Sequence, residues 1–143
     1  MFLLDANVLI AMGDSTHVHH VRVQEWFHSQ PGRAWATCPL TENAFLRILG
    51  ATGYPGHIGA PQVVCSLLRQ MCAFPGHQFW EDALTLRDPS RFPGLPSAKQ
   101  LTDVYLLGLA VARRAKLATL DQRIDSDLIP GGTKAYFLIP GPG

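Results

Sequence analysis

The stretch "SAKQLTDVYLLGLAVARRAKLATLD" (residues 97–121) reads as a helix that runs into a strand ending on an acid. Ser97 followed by Gln100 has the spacing of a capping box, in which each side chain serves the other residue's backbone N–H. From there to Lys116 the segment is dense in Leu and Ala. Arg113, Arg114 and Lys116 stand at the end where a helix dipole favours cations. "LATL" (117–120) then supplies a short apolar strand, and Asp121 closes it. A helix leading directly into an apolar strand is part of a βαβ unit, so the fold turns on whether that alternation continues along the chain.

Working outward, it does. "MFLL" (1–4), "AWATC" (34–38), "HQFW" (77–80) and "KAYFLI" (134–139) are further strand-like runs, giving about five strands in all. After a polar turn at Gly13 to Thr16, the segment His17–Ser29 places Val23, Trp26 and Phe27 on one helical face and stops at Pro31-Gly32. A second helix is expected from about Thr41 to Leu49. A third begins after Pro61, a residue suited to a first turn, and ends before Pro75-Gly76. The segment from Asp82 to Pro96 holds three prolines and no period, and reads as loop. The expected class is α/β with a mainly parallel sheet.

A chain of 143 residues fits one domain, here 1–143 with a short Pro/Gly tail at 140–143. The longest apolar run, Val104 to Ala112, has nine residues, against the ~20 needed to span a bilayer. The N-terminus has no basic leader before its apolar run and carries Asp5, which points to a cytoplasmic protein rather than a secreted one. Cys38, Cys65 and Cys72 are an odd set that forms no CxxC pair, which argues against both a disulfide framework and a structural zinc site. Cys65 and Cys72, two turns apart, read as small buried thiols on one helix face. The formal charge is +1, without the excess of Lys and Arg by which proteins grip nucleic acid. If phosphate is the substrate, positive charge must come from elsewhere.

Four acids point to where. Asp5 ends the first strand and Asp121 the fourth, at the sheet edge where ligands bind in parallel α/β folds. Each could equally cap the following turn. Glu42 starts the second helix at the same edge, where the helix dipole alone would account for it. Asp103 lies too far past Ser97 to be its cap and shares a helix face with Leu106, Leu107 and Ala110, so its carboxylate needs a partner. Charges ~4 Å apart at an effective dielectric of ~20 repel by about 4 kcal/mol, so acids gathered at one edge call for a cation between them. Oxygen ligands without Cys or His select Mg²⁺ or Mn²⁺, ions that hold phosphate oxygens and activate water.

"LLDANVLI", "LTENAFLRI" and "LTDVYLLGLAVARRAKLATLD", with the spacing between them, resemble the PIN domain and, within it, the VapC family of toxin ribonucleases from prokaryotic toxin–antitoxin pairs. The resemblance runs from Met1 to about Phe137. It implies a three-layer α/β/α domain, usually a homodimer, that hydrolyses RNA endonucleolytically through an acid-bound Mg²⁺ or Mn²⁺ and an activated water, and is inhibited by a VapB-type antitoxin. The family's metal-binding and catalytic acids fall on Asp5, Glu42, Asp103 and Asp121. Asn7, Thr102 and Thr119 fall where polar residues orient acids or water. The segment "HQFWED" also resembles the family and leaves open the roles of Trp80 and Asp82. Asp125 and Asp127 follow Asp121 closely, where an additional acid is sometimes used, although a solvated turn accounts for both.

Other features have simpler readings. His17 and His20, three apart in "HVHH", have the spacing of metal ligands but no third ligand nearby. Arg113, Arg114 and Lys116 read as a helix C-terminus that could also meet RNA phosphates. His57 lies in "GYPGHIG", which lacks the ending of a phosphate-binding P-loop. Two alternative functions stand beside the ribonuclease. One is a PIN-like module that binds RNA or a partner without cutting. The other is a phosphatase using Asp5 as nucleophile, which would want an acid where Asn7 stands.

Overall fold

The computed structural model describes residues 1–32 and 34–141; Pro142 and Gly143, the end of the Pro/Gly tail, lie outside the described residues. Five strands form one fully parallel sheet in the order β3-β2-β1-β4-β5: β1 Phe2–Leu4, β2 Trp35–Thr37, β3 His77–Phe79, β4 Lys116–Thr119 and β5 Tyr136–Leu138. Phe2 pairs with Trp35 on one side and with Lys116 on the other. The chain therefore builds outward from β1 in both directions, and the crevice beside the C-terminal end of β1 is the topological switch point.

Side chains alternate across the sheet and define its two faces. Leu3 and Leu117 face a core completed by Val104, Leu107, Phe92 and Trp80. Leu4 and Ala118 face the opposite core, with Val8, Phe27, Phe45 and Leu68. Helices α1 (Ala6–Gly13), α2 (His20–Ser29), α3 (Pro39–Leu49) and α4 (Pro61–Cys72) contribute to the second layer, and α5 (Leu101–Ala112) and the short α6 (Gly132–Ala135) to the first. The expected three-layer architecture is thus present.

Several boundaries differ from the sequence reading. Helix α1 was absent from it because "ANVLIAM" is apolar nearly all round and Val8, Leu9, Ile10 and Ala11 are all buried, so no amphipathic period marks it. Helix α2 starts at His20 rather than His17, and α3 starts at Pro39, an ordinary first helical residue. The capping box at Ser97 is not formed: Ser97 makes no side-chain cap, a 3₁₀ turn covers Ala98–Gln100, and α5 proper begins at Leu101. That places Asp103 in the first turn of α5, not deep within it.

The helix also ends at Ala112, short of Lys116, so the three cations lie beyond it. Arg113 stacks over Trp80 at 5.2 Å from the ring centroid, Arg114 adopts a left-handed turn at φ 54°, and Lys116 opens β4. The loop reading of 82–96 holds, with Phe92 buried against Tyr105 of α5. Cys65 and Cys72 are half-buried rather than buried, and all three cysteines are free. Among the described residues no helix is long and apolar enough to cross a membrane.

Candidate active site

Asp5 occupies the single residue between β1 and α1, and of the two readings offered by the sequence the cap is seen directly. Its Oδ1 caps α1 by accepting from the Ala6 N–H at 2.7 Å. Its Oδ2 accepts from the Thr119 hydroxyl, at the end of β4, at 2.8 Å. The carboxyl group is only 5% exposed, and burial pushes its pKa above the ordinary carboxylate value. The two hydrogen bonds pull the other way, and the charge of Asp121 adds to the rise.

Thr119 organises this edge. Fully buried, its hydroxyl donates to Asp5 and accepts from the Asp121 N–H at 3.0 Å and the Asn7 Nδ2 amide at 3.3 Å. Asn7 completes the tie by accepting the Leu120 N–H at 3.1 Å on its side-chain oxygen. Asn7 and Thr119, expected to orient acids, lock the start of α1 against the end of β4. Asp121 is held in turn by the Arg123 N–H, which donates to Oδ1 at 2.8 Å. Thr102, the third residue of that expectation, is exposed beside Asp103.

Asp103 enters from α5. Half-buried, its carboxyl group is pushed up to about 6, first by desolvation and then by the charges of Asp5 and Asp121. Three aspartates from three elements therefore repel one another at the switch point. Among the described residues, the charges that act on Asp103 are those of two further acids and not of a cation.

Glu42 stands differently. Its Oε2 accepts from the Thr37 hydroxyl at 2.7 Å, and the same hydroxyl lies 2.7 Å from His77 Nε2. Because that hydroxyl has one proton and gives it to Glu42, the imidazole N–H is the donor of the second bond. The Cys72 thiol completes the group: donor atoms of Glu42, Cys72 and His77 lie within 4.8 Å of one another. Burial raises the Cys72 thiol to about 11, with the charge of Glu42 adding to it, and burial lowers His77. The sequence reading missed this cluster because its members come from α3, α4 and β3. The spacing of Cys72 and His77 was its one local signal.

The remaining candidates fall outside both groups. His20 Nδ1 donates to the Ala11 carbonyl at 2.7 Å and His17 Nδ1 accepts from the His19 N–H at 3.0 Å, which binds both rings into the entry to α2. Asp125 precedes the 3₁₀ turn Ser126–Leu128 and Asp127 lies within it, both exposed, and Asp127 raises Asp125 by hydrogen bond and charge. Trp80 is buried and continues the β2–β3 ladder through its N–H to the Thr37 carbonyl at 2.8 Å. Asp82 Oδ1 is buried without a hydrogen-bond partner among the described residues.

No protein-family model matches the chain. The chain is 38% identical over 136 residues to Ribonuclease VapC44 of Mycobacterium tuberculosis, covering 94% of this chain and 95% of that protein. It is also 38% identical over 122 residues to Ribonuclease VapC38 of the same organism, covering 85% of each. Among solved structures it resembles that of Mycobacterium tuberculosis VapC20, described as a sarcin–ricin loop cleaving toxin. That match has a TM-score of 0.63 at 9% identity and covers 91% of this chain and 97% of the other, a likeness of fold.

Proposed function

The chain belongs to the VapC ribonuclease family, and from that premise we propose that it is a metal-dependent endoribonuclease, the toxin of a toxin–antitoxin pair. The observation that carries the reading is the mutual repulsion of Asp5, Asp103 and Asp121 at the switch point. Three carboxylates with hard oxygen donors, and no cation of the described residues acting on Asp5 or Asp103, fit Mg²⁺ or Mn²⁺. Held by Asp5, Asp103 and Asp121, with Glu42 as the fourth acid, such an ion would supply the charge that holds phosphate oxygens and lowers the pKa of water.

The chain's own residues do the rest. Thr119 and the Ala6 N–H fix both oxygens of Asp5. Asn7 keeps α1 registered on β4, so that Asp5 and Asp121 stay together. Asp103, its carboxyl pKa raised to about 6 by burial and by the charges of Asp5 and Asp121, gains from a cation that offsets the charge of the three. The reading takes the chain as a single PIN-like domain that acts in the cytoplasm as a homodimer, restrained by a VapB-type antitoxin.

The test is cleavage of total RNA by purified protein, with new 5′ ends mapped. Cleavage is expected with Mg²⁺ or Mn²⁺, and its loss with EDTA and in Asp5→Asn. Cleavage that survives both would overturn the proposal.

A further inference from the structure

We propose that Glu42, Cys72 and His77 form a second metal site, taking one borderline-soft divalent cation of zinc's class. The residues sit in the first turn of α3, at the last residue of α4 and at the first residue of β3. Between Cys72 and His77 the chain reverses in four residues, through Gly76 at φ 92°, a conformation that glycine adopts without strain. That turn presents a thiol and an imidazole together, and Glu42 closes the set with donor atoms within 4.8 Å.

The donor chemistry separates this group from the aspartates. One thiolate, one imidazole and one carboxylate suit zinc, whereas Mg²⁺ prefers oxygen throughout. Bonds of about 2.0–2.3 Å to a tetrahedral ion place ligand atoms about 3.3–3.8 Å apart. The group must therefore contract by about 1 Å, within reach of side-chain rotation at half-buried positions. Three ligands leave a fourth position for water. Thr37, already bonded to Glu42 and His77, would hold the carboxylate from behind, as outer partners of zinc ligands do. On binding, the Cys72 thiol gives its proton to solvent and its sulfur bonds to the ion. His77 ligates through the ring nitrogen that carries no proton, so that ligation through Nε2 moves the ring proton to Nδ1 and gives up the bond to Thr37.

On the ribonuclease reading, on which this part of the inference rests, Glu42 is also the fourth acid of the aspartate site, so an ion of zinc's class that engages Glu42 slows RNA cleavage. The bland role of the same residues is a hydrogen-bonded clasp between α3 and β3, which binds no ion.

Titrating the full chain with Co²⁺ separates the two. The metal site gives a thiolate-to-metal absorption band at one equivalent, displaced by Zn²⁺. Cys72→Ser and His77→Ala, checked for fold by circular dichroism, lower the affinity by at least about 100-fold, the upper range for losing even an outer partner. Cys65→Ser keeps the band. No band in the unmodified protein, or a band retained in Cys72→Ser, overturns the proposal. In Mg²⁺-supported cleavage, each protein compared with its own zinc-free rate, one equivalent of Zn²⁺ inhibits the unmodified chain and not Cys72→Ser; equal inhibition overturns the regulatory part. A chain that cleaves no RNA refutes the ribonuclease reading while the cobalt band still reports on this site.

Discussion

Replacing Asp103 by asparagine is expected to stabilise the protein near neutral pH when divalent metal is absent. In the folded chain its carboxyl group titrates at about 6, against the ordinary 3.8, because of burial and the charges of Asp5 and Asp121. Two units correspond to at most about 3 kcal/mol of preference for the neutral form. Asp103 is only half-buried, so solvent screening reduces this to about 1–2 kcal/mol, and its first-turn position in α5 returns a few tenths through the helix dipole.

Between the two pKa values the folded state binds more protons than the unfolded state, so stability falls as pH rises through that window and the full penalty is present above it. Asp103→Asn removes the penalty. The expected gain at about pH 7.5 in EDTA is about 1 kcal/mol, or roughly 3–4 °C in Tm for a chain of this size. The gain should vanish near pH 4, where the native carboxyl is neutral. It should also shrink or reverse in saturating Mg²⁺ or Mn²⁺, which stabilises the intact site by mass action and the variant less. Differential scanning calorimetry at the two pH values, with and without metal, reads all three. A variant less stable than the parent in EDTA at about pH 7.5, or a gain of equal size at both pH values, would refute the reasoning.

Thr119→Val keeps the shape of the end of β4 but strips Asp5 Oδ2 of its donor and leaves the Asp121 N–H and the Asn7 amide without an acceptor. A cost of about 2–3 kcal/mol in urea unfolding is expected, with m unchanged, and one below about 0.5 kcal/mol would contradict the role given to Thr119. Arg114, at φ 54° after the end of α5, occupies a position that glycine fills without strain, and the Ala115 N–H already closes back on the Ala110 carbonyl at 2.9 Å. Arg114→Gly should therefore raise stability by about 0.5–1 kcal/mol, and a loss in the same urea assay would count against it.

The strands were legible because each is a short apolar run bounded by polar or turn residues, and "LATLD" carried both the strand and the acid that ends it. Helix α1 was hidden by its burial: with apolar residues on nearly every face there is no period to see, and Asp5-Ala6-Asn7 looks like a turn. Ser97 and Gln100 had the right spacing for a cap, but the backbone enters α5 through a 3₁₀ turn, which no pairwise spacing reveals. Helix α6 has four residues behind the left-handed Gly131, too few for any periodicity. In the site, Asp5 and Asp121 were legible as acids at strand ends. The company Glu42 keeps was not, since Thr37, Cys72 and His77 reach it through the arrangement of α3, α4, β2 and β3.

The same hydrogen bonds determine which substitution best separates chemistry from folding. Both oxygens of Asp5 are committed, one to the cap of α1 and one to Thr119. Asp5→Asn therefore turns an acceptor into a donor at one of two required contacts, and a loss of cleavage in that variant mixes lost charge with a loosened β1–α1 junction. Asp121 is tied through Oδ1 to the turn at Arg123 and has the same ambiguity. The Asp103 carboxylate accepts no hydrogen bond among the described residues and influences its neighbours by charge alone. Asparagine at that position takes away the charge and leaves every contact of the site in place. If Asp103→Asn is inactive yet more stable in EDTA, the carboxylate is required for cleavage rather than for the fold, a conclusion that inactivity of Asp5→Asn alone could not support.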